Sequence, residues 1–333
     1  LGQHDELFLV DDSRSPENQA ANREAVATFN TRSVKGMSYL GADAQQTLID
    51  TLVGELPEHE AGIRFLIDRA QWSGYKTYGR SRTLCLLLSV GYRAIVMDDD
   101  ILCEAVLPPL REEGLGIGSG NRKAAFFPDE ATMERSMERA DFDALSGHAS
   151  LLGASLGYAL EQLVGGPPKP DWMGGVNATL ANVLDPAGKV LITQCGSWGD
   201  PGTGSVHWAT TLRDDSLERL LTAPHGISDA LERCPIWLGS STPNIVKMAV
   251  MSQMTGLDNT ELLPPYFPAF RGEDLLFGAM VEYMHHTGTT LEYAWAVPHL
   301  PMGEKRERSL REPIVGTGGI GPVSSTHLRA HET

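Results

Sequence analysis

Short apolar runs that end in acidic residues and pass at once into helix-forming stretches are what most constrain the fold of this chain. Leu7-Phe8-Leu9-Val10 ends in Asp11-Asp12-Ser13, and Pro16 to Phe29 reads as a helix, with Ser15 placed as its cap ahead of Pro16. Met37 to Leu40 leads into a second helical stretch, Asp43 to Leu56, in which Leu48, Ile49 and Leu52 recur at helical spacing. Ala94-Ile95-Val96-Met97 closes on Asp98-Asp99-Asp100. Strands alternating with helices across short loops predict an α/β fold on a mostly parallel central sheet with helices on both faces. Ligands of such sheets gather at the carboxyl ends of the strands, where both acidic clusters fall.

Along the rest of the chain, helices are expected at Gly62 to Ala70 and Thr83 to Val90, joined by a basic loop from Ser73 to Arg82. A polar stretch then runs from Arg111 to Phe142, followed by a small-residue helix, Ala144 to Val164, and a linker, Gly165 to Pro170. Strands are predicted at Val190 to Thr193 and His207 to Leu212, with a flexible glycine-rich loop, Gly196 to Gly204, between them. The pattern ends with helices at Pro243 to Met254 and Glu273 to His286, a Pro/Tyr/Phe loop between them, and a strand at Thr290 to Val297.

A chain of 333 residues that is 41% hydrophobic can bury a substantial core. Its 27 basic and 43 acidic residues give a net charge of −16, which argues against nucleic acid or an anionic membrane surface as a general partner. An anionic ligand must then be held by local cations or a metal. No apolar run reaches the roughly 20 residues of a membrane span. The cysteines, Cys85, Cys103, Cys195 and Cys234, lack metal-like spacing and are expected to be reduced and buried, which favours a cytoplasmic location, free or peripheral to a membrane. The chain is expected to lack an N-terminal strand and to end in a non-native tail, Ser324 to Thr333, whose His327 and His331 receive no role.

Clustered carboxylates at a strand end are costly unless a cation or strong hydrogen bonds satisfy them. A hard divalent ion, Mg²⁺ or Mn²⁺, carrying a diphosphate would satisfy the triplet; a solvated acidic turn is the other reading of the same residues. The glycine-rich segment matches neither a P-loop nor a dinucleotide fingerprint, so kinase and dehydrogenase readings lose their main support.

Five short motifs in order carry a resemblance: Val10-Asp11-Asp12-Ser13, Gly79-Arg80-Ser81-Arg82, Met97-Asp98-Asp99-Asp100, Gly174-Gly175-Val176-Asn177 and Arg271-Gly272-Glu273-Asp274. From Leu7 to Pro301 the chain resembles the GT-A glycosyltransferases, family 2 and its relatives within the nucleotide-diphospho-sugar transferases. The resemblance implies a Rossmann-like GT-A domain whose donor half is 1–110 and whose acceptor and catalytic half is 111–310, followed by a tail, 311–333. It also implies a metal-dependent transfer of a sugar from a UDP- or GDP-sugar to a hydroxyl of a glycan, lipid-linked or small-molecule acceptor. Asp11, Asp12, Asp98, Asp99, Gly175 and Asn177 would face the donor, Asp12 through its uracil or ribose. Arg80 and Arg82 would reach its diphosphate, although Ser81-Arg82-Thr83 replaces an Ala-Arg-Asn pattern common in the family and lacks its Asn. Asp98, Asp100 and a late His299 would ligate Mn²⁺ or Mg²⁺. For an inverting transfer Asp274 would be the general base and Glu273 the second choice. A retaining transferase with His299 on the metal, a sugar-phosphate nucleotidyltransferase and a non-enzymatic sugar-binding module remain as alternatives. Trp172, Trp198, Tyr266 and Phe267 are candidate platforms under a sugar ring.

Overall fold

The structure is a computed structural model that describes residues 4, 6–118, 122–173, 176, 178–201, 206–232, 235–249, 253–270 and 272–299. The donor-side candidates Gly175 and Asn177 lie outside the described residues. The chain divides into two compact units. Unit 1 holds the residues up to Val90 together with Pro264–Phe277, and unit 2 holds Gly91–Leu263 and the residues from Gly278 to His299.

In unit 1, strands β1 (Phe8–Val10) and β2 (Ser38–Leu40) pair in parallel as a sheet of two strands. Helix α1 (Pro16–Arg32) starts where the sequence says it should: Ser15 caps it by accepting the Asn18 N–H, and Pro16 takes the first turn, where a missing N–H costs nothing. Helices α2 (Ala42–Glu55), α3 (Glu60–Ile67) and α4 (Tyr78–Leu88) bring Ile49, Ile67 and Leu84 into a small core, with Val10 of β1 against it. Helix α4 begins five residues before the expected Thr83, so Arg80 and Arg82 stand on its first turns rather than in a loop. Gly79 makes this possible. A methyl group there would sit 1.9 Å from the Phe267 carbonyl oxygen, so only glycine lets α4 lie against the segment that leads to Glu273.

Unit 2 is built on strands β3 (Arg93–Met97), β4 (Glu104–Leu107), β5 (Gly116–Ile117), β6 (Arg122–Phe126), β7 (Glu138–Asp143), β8 (Val190–Gly199), β9 (Ile236–Ser240), β10 (Asn244–Val246), β11 (Met254–Asp258) and β12 (Thr289–His299). They form one sheet along the path β3-β11-β8-β12-β10-β5, with β4, β6, β7 and β9 attached beside it. The fold is α/β, but the expectation of a mostly parallel sheet is corrected: most pairings in this sheet are antiparallel. The sequence pattern misses this because β10, antiparallel to β12, sits inside the run expected to be a helix from Pro243 to Met254, and β11, antiparallel to β8, starts at the last residue of that run. Every residue of both strands is buried, and a short run of buried residues shows no period that separates strand from helix.

Two further expectations change. The supposed glycine-rich loop is strand as far as Gly199: β8 is buried along all ten residues and ends there, and Trp198 is fully buried in it rather than offered to a ligand. Residues Val206–Thr211 form a 3-10 helix rather than a strand, and the small-residue helix breaks into Ala144–Leu151 and Leu156–Val164 around Gly153, whose φ of 73° is a left-handed turn. The core of unit 2 runs under β8 and β12 through Val190, Cys195, Leu291, Tyr293, Trp295 and Val297. No described helix is long and apolar enough to cross a membrane.

Candidate functional site

Three strands of unit 2 point the same way although the sheet is mixed. β3 is antiparallel to β11, β11 is antiparallel to β8, and β8 is parallel to β12, so the carboxyl ends of β3, β8 and β12 fall on one edge. Asp98, Asp99 and Asp100 follow β3, Asp200 follows β8, and His299 is the last residue of β12, paired in register with Gly199. The acidic turn folds back onto β12: Leu102 donates its N–H to the Pro298 carbonyl at 2.9 Å, and Ile101 bridges His299. Asp98 is fixed from the other side by its N–H to the Gln253 carbonyl at 2.9 Å.

These constraints put one ligand atom each of Asp98, Asp100 and His299 within 4.8 Å of one another. His299 is buried, and its ring is oriented by the backbone: Nδ1 lies 2.5 Å from the Asp200 carbonyl oxygen, so Nδ1 carries the proton. The same carbonyl accepts the Ser197 hydroxyl at 2.7 Å. Nε2 then faces Asp100 Oδ1 at 3.0 Å. A neutral imidazole would meet a carboxylate there lone pair to lone pair, which is favourable only if a proton or a cation stands between them. An imidazole whose second nitrogen donates to a backbone carbonyl is the usual arrangement of a metal-ligating histidine. The donor set of two carboxylate oxygens and one imidazole therefore fits a divalent cation, and the imidazole shifts the preference from Mg²⁺ toward Mn²⁺. Asp99 is exposed and outside this group.

Asp11, Asp12, Arg80, Arg82, Glu273 and Asp274 sit in unit 1. Asp11 is buried at the end of β1, where its carboxylate accepts the Ser13 N–H at 2.8 Å and the Tyr39 hydroxyl at 2.6 Å. Burial pulls that carboxyl up, but these hydrogen bonds outweigh it and hold it below its ordinary value. Asp12 accepts the Thr77 hydroxyl on one oxygen and Arg80 Nη1, at 2.8 Å, on the other. Arg80 is 1% exposed, and burial lowers its pKa from the ordinary value while Asp12 opposes the shift. Its other donors reach the Ile67 carbonyl at 2.7 Å and Gln45 Oε1 at 2.5 Å. Gln45 in turn donates to the carbonyls of Asp11 and Leu40, both at 2.8 Å, and so ties α2 to β1 and β2. Gln45, Tyr39 and Thr77 were not singled out in the sequence, because nothing local marks an amide or hydroxyl whose partner lies 28 to 65 residues away.

Arg82 lies over the Tyr266 ring, 6.0 Å from its centroid, and Tyr266 is buried against Phe277 with ring centroids 3.9 Å apart. Tyr266 is therefore core rather than platform. Trp172 packs against the core of unit 2, and Phe267 joins an aromatic cluster with Phe65, Trp72 and Phe270. Glu273 is buried at the start of the helix Glu273–Met284, and Asp274 is half-buried beside it with Oδ1 2.8 Å from the Leu275 N–H. Cys85, Cys103 and Cys195 are free thiols as expected, but only Cys195 is buried, Cys85 being half-buried and Cys103 exposed; Cys234 lies outside the described residues. No protein-family model, curated protein or solved structure matches the chain.

Proposed function

We propose that the chain is a metal-dependent glycosyltransferase of the GT-A kind, transferring a sugar from a UDP- or GDP-sugar to a hydroxyl acceptor. The observation that supports this most directly is the group Asp98, Asp100 and His299 at the shared carboxyl edge of β3, β8 and β12. When bound there, Mn²⁺ or Mg²⁺ would supply Lewis-acid stabilisation of the departing diphosphate. Asp100 and His299 hold the ion in this reading, and Asp98 shares it while facing the nucleotide. The Asp200 carbonyl keeps the imidazole in the tautomer whose Nε2 lone pair points inward. In unit 1, Asp12 retains lone pairs beside those given to Thr77 and Arg80 and can accept a further hydroxyl.

For an inverting transfer, Asp274 takes the proton of the acceptor hydroxyl. The second reading is a retaining transferase, favoured by the hydrogen bond Asp274 makes to the helix N–H that follows it, which is the ordinary use of an acid in a first helical turn. NMR of the anomeric linkage in fresh product separates the two. The proposal as a whole is tested by calorimetry of UDP, GDP and their sugars with and without Mn²⁺. We expect binding that tightens with metal and is lost in Asp100→Asn; equal affinity with and without metal for every nucleotide rules the proposal out.

A further inference from the structure

One cleft in unit 1 runs against the charge of the whole molecule. It has a volume of about 510 Å³, within the range of small-molecule sites, and its charged lining groups are the guanidinium groups of Arg14, Arg69 and Arg80 and the carboxylate of Asp68. Two of these four are already satisfied. Asp68 accepts from Arg64 Nη1 at 3.3 Å and from the Ala70 N–H at 2.8 Å, and Arg80 is spent on Asp12, Gln45 and the Ile67 carbonyl.

Arg14 and Arg69 are different. Arg14 is exposed and donates to the Tyr75 carbonyl; among the described residues no carboxylate stands within ion-pair distance of it. Arg69 donates to the Ser13 carbonyl at 3.0 Å, next to Arg14 in the chain, and its Nε is 3.9 Å from an Asp12 oxygen that Arg80 already holds at 2.8 Å. A guanidinium carries five N–H donors in a planar fork, so each of the two keeps donors beyond the carbonyl it binds. The rim beside them is open: Gly74 has a φ of 90° and empty space where a Cβ would stand. In a chain of net charge −16, two under-compensated cations on a concave wall make a local trap for an anion. Two forks lining one cleft match a group with several charged oxygens better than a single carboxylate, which one fork saturates.

We propose that Arg14 and Arg69 make this cleft a binding site for the phosphoryl group of a small molecule, a mono- or diphosphate. The inference does not rest on a metal at Asp98 and Asp100, and its test keeps metal out. Pyrophosphate and inorganic phosphate are titrated calorimetrically into the whole chain in EDTA. We expect pyrophosphate to bind, to bind more weakly as sodium chloride rises, and to lose about tenfold in affinity in Arg14→Gln and again in Arg69→Gln. Arg14→Lys, which keeps the charge without the fork, should fall between wild type and Arg14→Gln. Because Arg14 is exposed, its variants report on binding rather than on folding. UDP and glucose 6-phosphate in the same buffer separate the sources: tighter binding of UDP than of pyrophosphate assigns the group to a nucleotide, and tighter binding of the sugar phosphate assigns it to an acceptor or product. Absence of pyrophosphate binding at millimolar concentration, or affinity unchanged in both glutamine variants, overturns the proposal. Neither result would bear on metal-dependent donor turnover, which is measured separately.

Discussion

At the scale of single residues, Gly79 and His148 show two ways in which one side chain, or its absence, limits what the surroundings can do. Ala at position 79 would place its methyl against a carbonyl oxygen rather than a flexible side chain, so α4 must shift away from the Phe267 segment. Gly79→Ala should lower stability by about 2–3 kcal/mol, read from the denaturant midpoint of intrinsic fluorescence. A loss below a few tenths would mean that the two segments yield easily. His148 is fully buried edge-on against the rings of Tyr293 and Trp295, with Nδ1 2.8 Å from the Thr193 hydroxyl, and burial pushes its pKa down to about 3. The unfolded chain takes up this proton near pH 6.5, the folded one only near 3. Stability from this group is therefore intact above pH 6.5 and falls as pH drops from 6.5 toward 3, by up to about 1.4 kcal/mol per pH unit. Urea midpoints at several pH values across that window should fall in the wild type and fall less in His148→Gln; parallel profiles would sink the assignment. Asp11, held below its ordinary 3.8, acts lower: its contribution is complete above 3.8 and disappears only as pH drops beneath it.

Among the elements, β8 and β12 carry unit 2. They run parallel with a register shift between Glu292 and Ala296, and the wider spacing on β12 there marks a bulge that reaims the strand before it delivers His299 beside Gly199. Ile192, in mid-β8 and fully buried, should cost about 2–4 kcal/mol when replaced by Ala, and the amides of β8 should be among the slowest to exchange with deuterium. Rapid exchange there would contradict the burial. How far these elements were legible in the sequence follows from how each is buried. β1 and β3 stop where their apolar runs stop, each followed by acidic residues, whereas β12 runs two residues past the expected Val297 and ends on His299. The helix α1 announces itself through Ser15 and Pro16. β10 and β11 offered no alternation, because both faces of each are covered, and the glycine pattern of Gly196 to Gly199 looked like a loop although it is buried strand, with Gly196 packed close against Leu238 and Gly239 of β9. Asp98, Asp100 and His299 were legible as chemistry at strand ends. The Asp200 carbonyl that orients His299 was not, since a backbone group leaves no mark in a sequence.

For the molecule as a whole, a bound cation should raise stability by mass action. If Mn²⁺ binds the group of Asp98, Asp100 and His299, a concentration about 100 times its dissociation constant should add about 2.7 kcal/mol, seen as a rise in melting temperature that Asp100→Asn and His299→Ala abolish. A rise of the same size in both variants would place the ion elsewhere.

Unit 1 is completed by Pro264–Phe277, a segment made about 170 residues after Val90. Gly79 packs against Phe267, and the Thr83 hydroxyl meets the Tyr266 backbone, so the N-terminal portion leaves the ribosome with these partners still unsynthesised. At bacterial or eukaryotic elongation rates the wait is about 10–35 s. During that interval α4 exposes the face that later meets the Tyr266–Phe267 backbone, and a nascent chain arrested before residue 264 should be cut by protease within residues 4–90 where the finished protein resists.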